Sequence, residues 1–160
     1  RTSGIFNFAD IAQNGTDEFL VAFECYPIVR KYSVDGRLLG EYRLNDPLME
    51  ERGKRNRKNA TDPATSDEAR RTYPVISSFI SYKSRIYLMR AYPRIEIMEL
   101  DSHHFDIKKT YWTEDAEAGF WSRHFLVLDV ENRTQFFVSN ERESRIDVYS
   151  PVSSEKQTKR

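Results

Sequence analysis

The stretch "YPIVRKYSVDGRLLGEYRL", residues 26–44, is the clearest guide to the fold class because it reads as two short strands joined by a tight turn. Apolar and polar residues alternate on either side of the turn over the length of a β-strand. Between the two runs, the pair Asp35-Gly36 accepts the positive φ angles of a short hairpin loop. The segment is therefore predicted to form a β-hairpin.

The same hairpin pattern recurs twice along the chain. Residues 92–112, "YPRIEIMELDSHHFDIKKTYW", begin with the same Tyr-Pro pair, and residues 136–151, "FFVSNERESRIDVYSP", repeat the pattern again. Internal self-similarity is typical of repeat architectures. The predicted strands form three units: 8–12, 19–23, 28–34 and 38–44; 75–82, 86–90, 95–100 and 105–112; 124–129, 136–139 and 145–149. Units of four short antiparallel strands are typical of β-propeller blades, so we predict an all-β fold.

Length and charge limit the possible functions. A chain of 160 residues can bury one sizeable core, which favours a single domain. Its 25 Lys and Arg residues balance 25 Asp and Glu residues, so the net charge gives no case for a nucleic-acid partner. The sequence contains no apolar run long enough for a membrane span and no visible signal peptide. The single cysteine, Cys25, is predicted to be a buried, unreactive thiol.

The segments "VRKYSVDG", "GRLLGEY" and "RIDVYSP" resemble strands of bacterial six-bladed β-propellers of the NHL and TolB-like kind. The resemblance implies the C-terminal half of such a propeller, with three of its six blades visible. The corresponding divisions are a blade at 1–44, a mobile insertion at 45–72, a blade at 73–112, an incomplete blade at 121–151 and a tail at 152–160. It also implies a partner, either the missing N-terminal half or a second copy of the chain, and it favours an exported or periplasmic location.

The insertion at 45–72 is charged and has almost no apolar periodicity, so it is predicted to be a mobile loop. Lys54, Arg55, Arg57 and Lys58 form a basic run within it. Acidic residues flank this run on both sides, which favours a solvated surface over contacts with phosphate.

In propellers of this kind, the turns between the second and third strands of each blade share one face with the connections between blades. The resemblance therefore implies a candidate ligand-binding face. Its predicted residues are Tyr26, Arg90, Tyr92, Arg94, Trp121, Arg123, His124 and Asn140, together with Trp112. Aromatic linings with a few convergent polar groups are typical of small-molecule sites. The alternative interpretation is that these rings pack between blades and the arginines are solvated.

Two functions follow from this sequence, and neither has a catalytic signature behind it. The first is a non-catalytic module that binds a protein or a small ligand through this face and needs no cofactor. The second resembles the calcium-dependent lactonases of propeller fold, with Glu24 and Asn140 as candidate oxygen ligands. The equivalent place in the middle blade is Arg90 or Ala91, and an arginine disfavours a calcium site there.

Two smaller motifs have structural and functional interpretations. His103 and His104 lie beside Asp101 and Asp106 in a predicted turn, where adjacent side chains rarely converge on a metal ion. Three Asn-X-Thr triplets begin at Asn14, Asn59 and Asn132. These triplets are either glycosylation acceptors or turn residues selected because asparagine tolerates positive φ.

Overall fold

The computed structural model describes residues 9–61, 74–91, 94–113 and 122–151. These residues form eleven β-strands and one α-helix. The first sheet contains β1 (Ala9–Asn14), β2 (Glu18–Phe23), β3 (Ile28–Ser33) and β4 (Leu38–Arg43). Helix α1 (Pro47–Thr61) follows it. The second sheet contains β5 (Ser78–Tyr82), β6 (Arg85–Arg90), β7 (Glu96–Leu100) and β8 (Ile107–Trp112). The third contains β9 (Phe125–Val130), β10 (Arg133–Asn140) and β11 (Arg145–Tyr149).

Each sheet is an antiparallel meander in which neighbouring strands along the chain are hydrogen-bonded neighbours in space. The predicted three units of short strands are therefore confirmed as sheets of four, four and three strands. Tight turns with positive φ join the first two strands of each sheet, at Gly15, at Lys83 and Ser84, and at Glu131 and Asn132. Within the described ranges none of the three sheets closes on itself.

The second sheet lies in the middle of the molecule, with a hydrophobic core on each of its faces. On β6, Ile86 and Leu88 pack with residues of the first sheet, whereas Tyr87 and Met89 pack with residues of the third. This division follows from the strand itself, because successive side chains point to opposite faces. One pattern of alternating side chains thus joins three stacked layers.

Helix α1 contradicts the prediction of a loop at 45–72 over residues 47–61. Asp46 caps its first turn, since the Met49 amide donates to Asp46 Oδ1 at 2.8 Å, and Pro47 occupies the first helical position. The buried residues of the helix are Met49, Arg52, Gly53 and Asn56. Their spacing places them on one face of the helix, but only one of them is a large apolar residue. The buried face therefore carried no hydrophobic signal in the sequence.

The outward face of the third sheet carries large apolar side chains that nothing in the described part of the chain covers. The exposed residues are Leu126, Leu128, Val130, Ile146 and Val148. They alternate with the residues of the same strands that pack on the second sheet, such as Phe125 and Val127. Helix α1 is the one helix among the described residues, and it is neither long nor apolar enough to cross a membrane.

Candidate functional site

Helix α1 contacts the connection between β2 and β3. The side chain of Asn56 is completely buried, and its Nδ2 donates to the Cys25 carbonyl oxygen at 3.1 Å. Beside it, the Leu44 amide donates to the Pro27 carbonyl oxygen at 2.9 Å, which fixes the segment that leads into the helix. Two polar contacts from separate elements therefore hold the turn at Tyr26 and Pro27 under the helix.

Gly53 allows the helix and the turn to approach so closely. A Cβ atom at position 53 would lie 2.8 Å from Pro27 Cδ, nearer than side-chain carbons ordinarily come to other atoms. Pro27 is a ring fixed to the backbone, so it cannot turn aside as a flexible side chain would. A glycine is required here because the helix backbone comes so close to the Pro27 ring.

A groove of about 470 Å³ lies where helix α1 meets the first sheet. Its walls from the turn and the sheet are Tyr26, Pro27, Ile28, Glu41 and Arg43. Its wall from the helix consists of Glu50, Gly53, Lys54 and Arg57. We call this depression the α1 groove. Its volume is within the range of small-molecule sites, about 300–1,000 Å³.

Two cations of the α1 groove have no carboxylate partner among the described residues. Its two carboxylates each have a partner: Glu50 Oε1 lies 3.2 Å from Arg43 Nε, and Glu41 Oε2 lies 2.7 Å from Arg30 Nε. No carboxylate of the described residues forms an ion pair with Lys54 or Arg57. The Arg57 guanidinium instead lies 5.9 Å from the centre of the Tyr26 ring. The groove therefore combines an aromatic ring with an excess of positive charge.

Arg90, a predicted site residue, lies at the centre of a buried ionic cluster. Its side chain is only 7% exposed and contacts Asp46 Oδ1 at 2.6 Å as well as the Glu96 carboxylate. Arg94 Nε contacts the other oxygen of Glu96 at 2.9 Å, and its guanidinium lies 5.3 Å from the centre of the Trp112 ring. Asp46 caps helix α1 and binds Arg90 with the same oxygen, so this cluster ties the helix to the second sheet.

Glu24, Arg123 and His124 form a second electrostatic group with Asp10. Partial burial raises the pKa of Glu24, and the Asp10 charge raises it further, while the charges of Arg123 and His124 oppose this shift. Ser139 Oγ fixes the backbone beside them, because the His124 amide donates to it at 3.1 Å. The Glu24 carbonyl oxygen accepts the Val75 and Ile76 amides. The end of β2, the entry to β5 and the entry to β9 therefore meet here.

Asn140, the other candidate calcium ligand, makes local contacts. Its Nδ2 donates to Asp147 Oδ2 at 3.1 Å, and its Oδ1 accepts the Glu143 amide at 3.2 Å. These bonds organise the turn between β10 and β11. No hydrogen bond or ion pair of the described residues joins Asn140 to Glu24, and those residues include no cluster of three or more His, Cys, Asp or Glu that could hold a metal ion.

The remaining candidates have simpler positions. Tyr92 and Trp121 lie outside the described residues. The amides of His103 and His104 both donate to Asp101 Oδ1 in a turn, and the Lys108 ammonium contact holds the pKa of Asp101 well below its usual range. Among the asparagine triplets, Asn132 adopts a φ of 62°, which agrees with the turn interpretation.

The sequence reasoning missed the helical wall of the groove, because it placed Lys54 and Arg57 in a solvated loop. A usable signal was present in "NDPLMEE", residues 45–51, where an aspartate, a proline and two glutamates stand in the order of a capped helix start.

Comparison with known proteins shows no family: no protein-family model matches the chain, and no curated protein matches its sequence.

Proposed function

We propose that this chain is a non-catalytic binding module and that the α1 groove is its ligand site. The observation that carries the proposal is the packing of α1 on the turn at Tyr26 and Pro27, where Gly53 and Asn56 maintain a concave surface. Concave surfaces with an aromatic ring and a few polar groups are the usual form of ligand sites. A small ligand or a protein side chain can enter the groove.

The three stacked sheets support a further proposal about architecture. Face-to-face meanders whose first strands lie next to one another are the arrangement of blades in a β-propeller. We propose that the sheets are blades of this kind, as the resemblance to six-bladed NHL and TolB-like propellers implies. A partner would then cover the exposed face of the third sheet, either as the remaining blades or as a second copy of the chain.

An NMR fragment screen of the whole chain tests the ligand site. Binding fragments are expected to shift the amide signals of Ile28 and Gly53 and to leave those of His103 and His104 unchanged. Tyr26→Ala should weaken this binding, because it removes the aromatic wall of the groove. Tyr32→Ala is the matched control, since Tyr32 stacks on Phe19 elsewhere on the same sheet.

Two results would contradict the proposal. The first is fragment binding whose shifts lie away from the groove and are unaffected by Tyr26→Ala. The second is a rise in melting temperature with millimolar calcium, because a ligand that binds the native state stabilises it. The second result would favour the calcium-dependent hydrolase instead.

A further inference from the structure

We infer that the ligand of the α1 groove is a small organic anion, with a carboxylate or phosphate group at Lys54 and Arg57 and an apolar body against Tyr26 and Ile28. This inference rests on the proposed function, because it concerns the same groove. It follows from the distribution of charged and apolar side chains in the groove.

The charges of the groove are not balanced within the described structure. Glu41 and Glu50 are each within ion-pair distance of an arginine, Arg30 and Arg43 respectively, so their charges are compensated. Lys54 and Arg57 line the same groove with no carboxylate of the described residues at ion-pair distance. Two positive charges therefore face the groove, and a carboxylate or phosphate group would neutralise them.

The two cations occupy neighbouring positions on the helix. Residues three apart lie on the same side of an α-helix, with Cβ atoms about 5–6 Å from one another. Lys54 and Arg57 have this separation, and both side chains line the groove. One anionic group can therefore contact both, the guanidinium through paired N–H donors and the ammonium as a compact charge.

The opposite wall determines the rest of the ligand. Tyr26, Pro27 and Ile28 offer an aromatic ring, a proline ring and an aliphatic side chain in consecutive positions. The groove volume of about 470 Å³ suits a molecule with a single ring or a short aliphatic chain beside its anionic group. Arg57 already lies 5.9 Å from the Tyr26 ring, so the anionic end and the apolar end of a ligand would be adjacent.

The test uses four probes of matched size on the whole chain: benzoate, phenyl phosphate, benzyl alcohol and benzylamine. Amide and ring signals of Gly53 and Tyr26 report binding. Benzoate and phenyl phosphate are expected to bind, and whichever binds more tightly identifies the anionic group. Benzylamine should bind at least about tenfold more weakly, a factor equivalent to about 1.4 kcal/mol. Raising the salt concentration should weaken the binding of the two anionic probes, because salt screens exposed charges.

The double variant Lys54→Gln, Arg57→Gln should lose at least about tenfold in affinity for the anionic probes and nothing for benzyl alcohol. Lys58→Gln is the matched control, because it removes a charge from an exposed position of the same helix outside the groove. Equal anion affinity in the double variant, or preferential binding of benzylamine at the same signals, would overturn the inference and leave the groove a binding site. An absence of shifts at Gly53 and Tyr26 with all four probes would overturn the proposed function as well.

Discussion

Gly53 sets the distance between helix α1 and the turn at Pro27, so we predict that Gly53→Ala destabilises the protein. Alanine favours a helix over glycine by about 1 kcal/mol, which alone would stabilise it. The added methyl group would nevertheless lie 2.8 Å from Pro27 Cδ, and the helix would have to move away from the turn. We expect a net loss of about 1–2 kcal/mol in urea unfolding, the usual cost of overpacking.

The control for this prediction is Lys58→Ala in the same helix. Lys58 is exposed, and substitutions at exposed sites usually change stability by less than about 0.5 kcal/mol. A Gly53→Ala variant more stable than the wild type would contradict the short distance between helix α1 and the turn at Pro27.

Arg90 and Arg123 provide a second comparison at the residue scale, because both carry ion pairs but differ in burial. Arg90 is 7% exposed between two carboxylates, whereas the side chain of Arg123 is 74% exposed beside Glu141. Arg90→Met should cost about 3 kcal/mol, since it removes the buried partner of Asp46 and leaves Glu96 with Arg94 alone. Arg123→Met should cost less than about 1 kcal/mol. Chemical unfolding of both variants measures the two losses in free energy of unfolding. Similar losses would contradict the burial of the Arg90 cluster.

Glu24 makes the stability of the protein depend on pH in a definite direction. Burial raises the pKa of Glu24, so the folded state holds its proton more tightly than the unfolded state does. The unfolded chain loses the Glu24 proton at an ordinary pKa of about 4.3, and the folded protein loses it only at a higher pH. Ionisation of Glu24 therefore lowers the free energy of unfolding as the pH rises from the ordinary pKa through the raised one. Glu24→Gln should gain in melting temperature over the wild type between pH 4 and pH 7.

Asp147→Asn is the counterpart with the opposite sign. Hydrogen bonds from Asn140 and Arg145 lower the pKa of Asp147, so its carboxylate stabilises the fold near neutral pH and this contribution is lost as the pH falls through the lowered value. Asp147→Asn should therefore be most destabilising at neutral pH.

A melting-temperature difference between Glu24→Gln and the wild type that is constant between pH 4 and pH 7 would contradict the burial of Glu24.

At the scale of elements, the sequence predicts the strands well and the helix poorly. All eleven strands overlap the predicted ones, because alternating apolar residues and turn pairs such as Asp35-Gly36 are local signals. Helix α1 has no such signal, since Arg52, Gly53 and Asn56 form most of its buried face. Asn56 is buried against the Cys25 carbonyl oxygen and Gly53 against the Pro27 ring. Contacts between residues so far apart in the chain cannot be predicted from local periodicity.

The candidate site shows the same limit. Tyr26 was predicted as a site residue and lines the groove, because its place in a turn follows from the local sequence. The role of Arg90 in binding Asp46, 44 residues away along the chain, could not be predicted from spacing. Lys54 and Arg57 were recognised as a basic run, but their place in a groove depends on the packing of α1.

At the scale of the whole molecule, the uncovered face of the third sheet predicts association. Leu126 on β9 and Ile146 and Val148 on β11 are 59%, 64% and 52% exposed, on one face of the third sheet and on either side of β10. Exposed apolar patches of this kind mark interaction surfaces. We expect the average mass of the isolated chain in light scattering to rise with concentration, and Leu126→Lys with Ile146→Lys to reduce this rise.

Thr16→Lys with Ser144→Lys is the control for charge, because it adds the same two lysines at exposed turn positions. This control should associate like the wild type. A wild-type chain that is monomeric at every concentration would contradict the assignment of this face to a partner.

Amide hydrogen exchange tests whether helix α1 is a folded wall of the α1 groove. The amides of Arg52, Gly53 and Asn56 lie in a helix whose buried face packs against the first sheet. We predict that they exchange about as slowly as those of Leu20 and Ala22 in β2, because buried, hydrogen-bonded elements open only with their packing partners. Exchange of the helical amides at the rate of an unstructured peptide, while β2 stays protected, would show that α1 is not folded against the first sheet.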